Sequence, residues 1–215
     1  MAYLFGAEKT IDMTRGSEGH ERLVEDFQKV NLEEIWGAIY SKGWKWIGEM
    51  PLISIYKNTP IFGRLDQILF TGGNPRMLFE FKFSRHRDTF PSQQHQAQTY
   101  CIELHELGFD TSFLFYAIVI SPPEKIKDME ELKKLPKVIF QTFLKDQLFL
   151  KEESSLTYGD VEVYIFAFKL EQAQKDLDYA IEYWYEKRTP MPSDNINKCR
   201  SCEFKEKCEL SLIKN

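Results

Sequence analysis

Long apolar runs, an excess of positive charge, a glycine-rich phosphate loop and early cysteines are all missing from this sequence. No apolar stretch reaches the roughly 18 residues of a membrane-spanning helix. Met1 to Arg15 lacks the basic start, apolar middle and small-residue cleavage site of a signal peptide. No membrane partner is therefore expected, and the location expected is intracellular and cytoplasmic, or the host cytoplasm if the chain is viral. The 28 Lys and Arg against 33 Asp and Glu leave a net charge of -5, so bulk charge attracts no nucleic acid and any such contact must be local. The missing phosphate-cradling loop argues against a nucleotide hydrolase or phosphatase. There are 4 cysteines, the first being Cys101; Cys199, Cys202 and Cys208 crowd the far end of the chain. In a reducing compartment that crowding suggests metal ligation sooner than a disulfide framework.

What is present suits one sizeable core with a tail. The 215 residues are too few for two full domains by the usual scaling, and aromatic residues at 14% imply a well-filled interior. A domain over 1–188 is expected, with a linker and cysteine-rich segment over 189–215 packing on it. Helical spacing runs from Ser17 to about Ser41 (Leu23, Val24, Phe27, Val30, Ile35, Ile39), with His20 in the first turn. Trp46 to Tyr56, Ile61 to Phe70 and Met77 to Phe83 look like successive strands, and the Gly72-Gly73 region makes the last two a hairpin. A helix from Gln93 to Leu107 stops at Gly108. Thr111 to Ile120 is nearly continuously apolar, the pattern of a central strand buried on both faces. Two short helices follow, Pro123 to Lys134 and Lys137 to Leu150, then a strand from Val161 to Phe168 and a helix from Glu171 to Lys187. The class expected is α/β, a mixed central sheet flanked by helices.

The chemistry concentrates between Gly63 and Tyr100. Side chains two apart on a strand share a face, so Glu80 and Lys82 project together while Phe79, Phe81 and Phe83 take the opposite side. Asp66 lies on the hairpin partner. Two carboxylates are hard oxygen ligands for Mg²⁺ or Mn²⁺, which usually keeps one or two protein carboxylates and fills its shell with water and substrate phosphate. Lys82 beside them can position a water or neutralise developing charge. Gln96 and Tyr100, four apart, share a face of the next helix. Arg85, His86 and Arg87 form a local basic patch. Each fragment alone is ordinary surface; their order and spacing together single out phosphodiester hydrolysis.

Gly16-Ser17-Glu18-Gly19-His20-Glu21, Gly63-Arg64-Leu65-Asp66, Glu80-Phe81-Lys82 and Gln96-Ala97-Gln98-Thr99-Tyr100 together resemble the ordered motifs of RecB-type nucleases in the PD-(D/E)xK superfamily. Cys199-x2-Cys202-x5-Cys208 resembles the C-terminal triplet of the CRISPR-associated four-cysteine nucleases and their viral relatives. The resemblance implies a restriction-endonuclease-like fold with a C-terminal cysteine-rich metal-binding appendage. It implies His20, Asp66, Glu80 and the carbonyl of Phe81 as metal ligands, Lys82 as the catalytic lysine, and Gln96 with Tyr100 as its support. It further implies Mg²⁺ or Mn²⁺ as cofactor and DNA, single-stranded favoured, as substrate, cut as an exonuclease with endonuclease activity in some members. CRISPR integrase or recombination proteins would be partners. The family's iron–sulfur cluster takes one cysteine ahead of these motifs, where Met1 to Arg15 offers none. Three possibilities are thus open: a cluster completed by Cys101 or a non-cysteine group, a Zn²⁺ site completed by His86, His95 or His105, or a degraded site that holds nothing. A different class of function, a non-catalytic DNA-end-binding or complex-assembly subunit on the same fold, would not need both carboxylates and the lysine.

Overall fold

The computed structural model describes residues 32–189, 191, 196–202 and 205–213. Of the helix expected from Ser17, the stretch Leu32–Ile39 (α1) falls in that range, and His20 lies outside it. Strands β1 (Trp44–Tyr56), β2 (Thr59–Thr71) and β3 (Asn74–Phe83) follow, then helix α2 (Pro91–Glu106) and strand β4 (Phe115–Ser121). A 3-10 turn, Pro123–Asp128, leads into helix α3 (Met129–Lys145). Strands β5 (Glu153–Tyr158) and β6 (Val161–Ala167) and helices α4 (Leu170–Trp184) and α5 (Ile196–Ser201) complete the order.

The six strands form one mixed sheet in the order β1-β2-β3-β4-β6-β5. Only β3 and β4 run parallel, joined through α2; every other neighbouring pair is antiparallel. This is the α/β class expected from the pattern, a mixed sheet flanked by helices. The β1–β2 connection is a two-residue turn, Lys57-Asn58, with φ of 46° and 66°, the left-handed pair that matches the twist of a hairpin. β4 is buried from Tyr116 to Ser121, as a central strand should be.

Each face of the sheet has its own helix. Met77, Phe79 and Phe81 of β3 and Ala117 and Val119 of β4 pack with Leu132, Leu135, Ile139, Phe140 and Phe143 of α3. The alternate residues of β3, including Glu80 and Lys82, face α2, whose Ala97, Tyr100, Cys101, Ile102, Glu103 and Leu104 are buried. Pro91 opens α2 where an N–H is dispensable, and Gln93 Oε1 accepts the Phe90 N–H at 3.0 Å. Gly108, with φ of 90°, ends it as expected.

Two expectations need correction, and one strand was not expected. The helices expected on either side of Pro136 are one, Met129–Lys145, with Pro136 inside it. An interior proline costs about 3 kcal/mol. Burial of each of five large side chains on the same stripe returns about 1.5–3 kcal/mol, so packing wins. Glu153–Tyr158, to which the sequence pattern assigns no element, is an edge strand alternating exposed and half-buried positions. Thr111 to Leu114 belong to no strand; the central strand starts at Phe115.

Of the described residues, those up to Leu177 belong to one compact unit and those from Asp178 onward to a second. In the second, the Arg188 guanidinium lies 3.8 Å from the Tyr179 ring centroid. Among the described residues no helix is long and apolar enough to cross a membrane.

The stripe on α3 makes a direct test. Ile139→Ala, at a fully buried position, is expected to lower unfolding free energy by about 2–5 kcal/mol. Val138→Ala, one residue earlier and 41% exposed, is expected to change it by less than about 0.5 kcal/mol in the same urea melts.

Candidate active site

The β2–β3 ladder covers Gln67 to Thr71 of β2 and stops at Phe79 of β3. Past that point β2 continues with β1 alone, and β3 pairs with β4. Asp66 stands where the two strands part. Its Oδ2 accepts the Phe81 N–H at 2.7 Å, replacing the next rung of the ladder with a side-chain bond. A strand residue directs its N–H and C=O to the same side, so the Phe81 carbonyl faces the Asp66 side as well.

Glu80 and Lys82 lie on the α2 face of β3. Lys82 Nζ donates to Glu80 Oε1 at 2.6 Å and to Gln96 Oε1 at 2.9 Å, and Gln96 Nε2 donates to the Tyr100 hydroxyl at 2.8 Å. Glu80, Lys82, Gln96 and Tyr100 therefore form one continuous chain from strand to helix. Asp66 and Glu80 are each 2% exposed and the Lys82 side chain 25%, so solvent meets the lysine and the half-buried Gln96 rather than the carboxylates. All five residues singled out between Asp66 and Tyr100 thus come together, on three different elements.

Burial, then the Glu80 carboxylate, push the Tyr100 phenol well above its ordinary range; the Gln96 bond opposes this, and Asp66 and Glu103 add to it. The phenol stays un-ionised and keeps a proton to donate. Gly63 permits this arrangement. A methyl group at 63 would overlap the Tyr100 ring and sit 3.1 Å from Glu103 Oε2.

Two buried acids were not anticipated. Glu103, fully buried, has both carboxylate oxygens without a hydrogen bond, and burial raises its pKa from 4.5 to about 7. It lies three residues after Tyr100 and seven after Gln96, so the helical repeat that grouped those two would have included it. Glu49, 8% exposed, lies at the place in β1 between Gly48 and Met50, which pair with Gln67 and Leu65, and so stands across from Asp66. Its φ of 52° is a left-handed kink inside a strand, and Arg64 Nη1 approaches it to 3.8 Å. Nothing in the local sequence signals that kink.

The basic patch is less free than its composition implies. Arg85 pairs with Glu124 at 2.6 Å and Arg87 with Glu162 at 3.1 Å, and His86 stacks on Phe90. Cys101 is fully buried, and burial pushes its thiol up, the surroundings of a packing residue. Cys199 is buried, Cys202 and Cys208 are half-buried, and no disulfide joins the four cysteines. Among the described residues no group of three or more His, Cys, Asp or Glu is gathered as a metal site. His105 meets Thr111 and His95 meets Gln98, each at 3.3 Å.

The chain matches no family in a scan of protein-family profiles, and no curated protein in a similarity search.

The pH dependence of Glu103 follows with a definite sign. Its pKa is higher folded than unfolded, so the native state holds more protons between about 4.5 and 7, and stability falls with rising pH across that window. Below it both states are protonated and the effect vanishes. Glu103→Gln is expected to match wild type near pH 4.5 and to gain on it up to pH 7, by about 3 kcal/mol at most, before levelling off. Urea melts at pH 4.5, 6 and 8 read this; a difference that does not change with pH contradicts it.

Proposed function

We propose that this chain is a divalent-metal-dependent deoxyribonuclease that hydrolyses phosphodiester bonds, with single-stranded DNA as the favoured substrate. The supporting observation is the meeting of Asp66, Glu80, Lys82, Gln96 and Tyr100 at the point where β2 and β3 separate. The rest of the sheet holds the two carboxylates in place where the strands separate. The sheet with one helix on each face is compatible with the restriction-endonuclease-like fold that the motif order implies.

The donor set fits a hard cation. Asp66 and Glu80 offer carboxylate oxygens and Phe81 a backbone carbonyl on the same side, and His20 would add an imidazole. A bound Mg²⁺ or Mn²⁺ would supply charge stabilisation on the phosphate and an acidified water.

The protein groups divide the remaining work. The Glu80 and Gln96 bonds fix the Lys82 ammonium, so it meets a developing negative charge without having to be ordered first. Gln96 spends its oxygen on Lys82 and its nitrogen on Tyr100, which orients both. Tyr100, held un-ionised, can donate to a phosphate oxygen. Arg64, Arg85 and Arg87, with side chains 64%, 68% and 58% exposed, can serve the DNA backbone. Exposed ion pairs contribute little, about 0–1 kcal/mol, and exchange readily for a phosphate.

The cysteine segment belongs to the same proposal as an iron–sulfur or Zn²⁺ site. Its support is the spacing of Cys199, Cys202 and Cys208 in the sequence; among the described residues no three His, Cys, Asp or Glu are gathered as a metal site. No step of the hydrolysis is assigned to it.

Labelled single-stranded DNA with Mn²⁺ or Mg²⁺ is the test. Asp66→Ala, Glu80→Ala and Lys82→Ala are each expected to lower the rate by at least about 100-fold while thermal unfolding stays cooperative. Degradation at equal rates by wild type and the three variants would remove the assignment.

A further inference from the structure

On the face of the sheet that carries α3, away from Glu80 and Lys82, lies a cavity of about 580 Å³. Aromatic side chains dominate its wall: Trp44, Phe113, Phe140, Phe143, Phe149 and Phe168. Phe113 and Leu150 are 68% and 72% exposed, so apolar surface stands open to water at this site. Arg76 is the single charged residue in the lining.

That guanidinium is under-satisfied. Its Nε donates to Thr71 Oγ1 at 3.0 Å, and its Nη1 is buried with no hydrogen-bond partner. Its centre lies 5.9 Å from the Phe113 ring centroid. Among the described residues no carboxylate lies within ion-pair distance of it. A cation half-withdrawn from water among phenyl rings is costly unless an anion accompanies it.

We propose that this cavity binds a small hydrophobic monoanion, with an apolar chain or ring system between the aromatic walls and one carboxylate on Arg76. The volume lies within the roughly 300–1,000 Å³ of small-molecule sites, and an apolar lining with one oriented charge is their usual composition. A carboxylate accepts charge-assisted N–H bonds from a guanidinium, and Arg76 is the cation in the lining that can donate them. One cation selects one negative charge. The neutral polar groups in the lining are the Thr71 and Ser112 hydroxyls and the Trp44 indole N–H, too few to satisfy a nucleobase edge and a phosphate dianion together. Arg76 starts β3 and the nuclease residues end it, on the opposite face, so this site stands whether or not the chain cuts DNA.

Calorimetric titration of the full chain with dodecanoate below its micelle concentration, with dodecan-1-ol as the neutral control, tests this. Wild type is expected to bind dodecanoate saturably at one site, and Arg76→Gln to bind it roughly tenfold or more weakly with dodecan-1-ol affinity unchanged. Leu144→Trp, at a partly exposed lining position, is expected to weaken both ligands by filling the space. No saturable dodecanoate binding by wild type would overturn the proposal. Equal dodecanoate affinity in Arg76→Gln, or undiminished binding in Leu144→Trp, would do the same.

Discussion

The bond from the Phe81 N–H to Asp66 Oδ2 is the contact on which the rest of the site depends. A sheet normally satisfies its backbone with backbone, and a strand that loses its neighbour exposes unpaired groups. Here β2 leaves β3 after Gln67, and the side chain of the very next residue satisfies the first N–H left over. The same bond draws the Asp66 carboxylate to the edge of β3 that carries Glu80. Structure and chemistry thus make the same demand on Asp66: the carboxylate that closes the gap is also the one a cation would need.

Around that bond the polar groups are organised at a cost. Asp66, Glu80, Glu103 and Glu49 are all buried acids near one another in the β1–β2–α2 region, and the Tyr100 phenol feels three of them. Lys82 is joined to Glu80 and supplies local positive charge, held by Gln96. A hydrophobic core would be cheaper there. The apolar stripe of α3 on the opposite face, strong enough to carry Pro136 within a helix, shows how much stabilisation the same sheet gathers where chemistry is not required.

The sequence revealed most where side-chain type and backbone period agree. Alternation placed Glu80 and Lys82 opposite Phe79 and Phe81, and the four-residue step placed Gln96 with Tyr100; both hold because pleat and helix pitch are local rules. It revealed least where a long-range effect overrode a local one. Pro136 argued for a break that burial of Leu132, Leu135, Ile139, Phe140 and Phe143 cancelled. Glu153–Tyr158 has serines in a strand that exists because β6 supplies its partner. The left-handed Glu49 has no glycine to announce it. Glu103 was within reach of helical periodicity, but an acid on a helix is read as solvated until its neighbours are known.

The central claim is that Asp66 and Glu80 together form a site for a divalent cation. Mn²⁺ binding to the DNA-free protein, followed by the loss of the free-ion electron paramagnetic resonance signal, tests it without depending on catalysis. Wild type should take up Mn²⁺ saturably at a site that Asp66→Ala and Glu80→Ala each abolish, while Lys82→Met, which removes a competing ammonium from Glu80, should bind at least as tightly as wild type. Uptake that is the same in wild type and in both carboxylate variants would contradict the account.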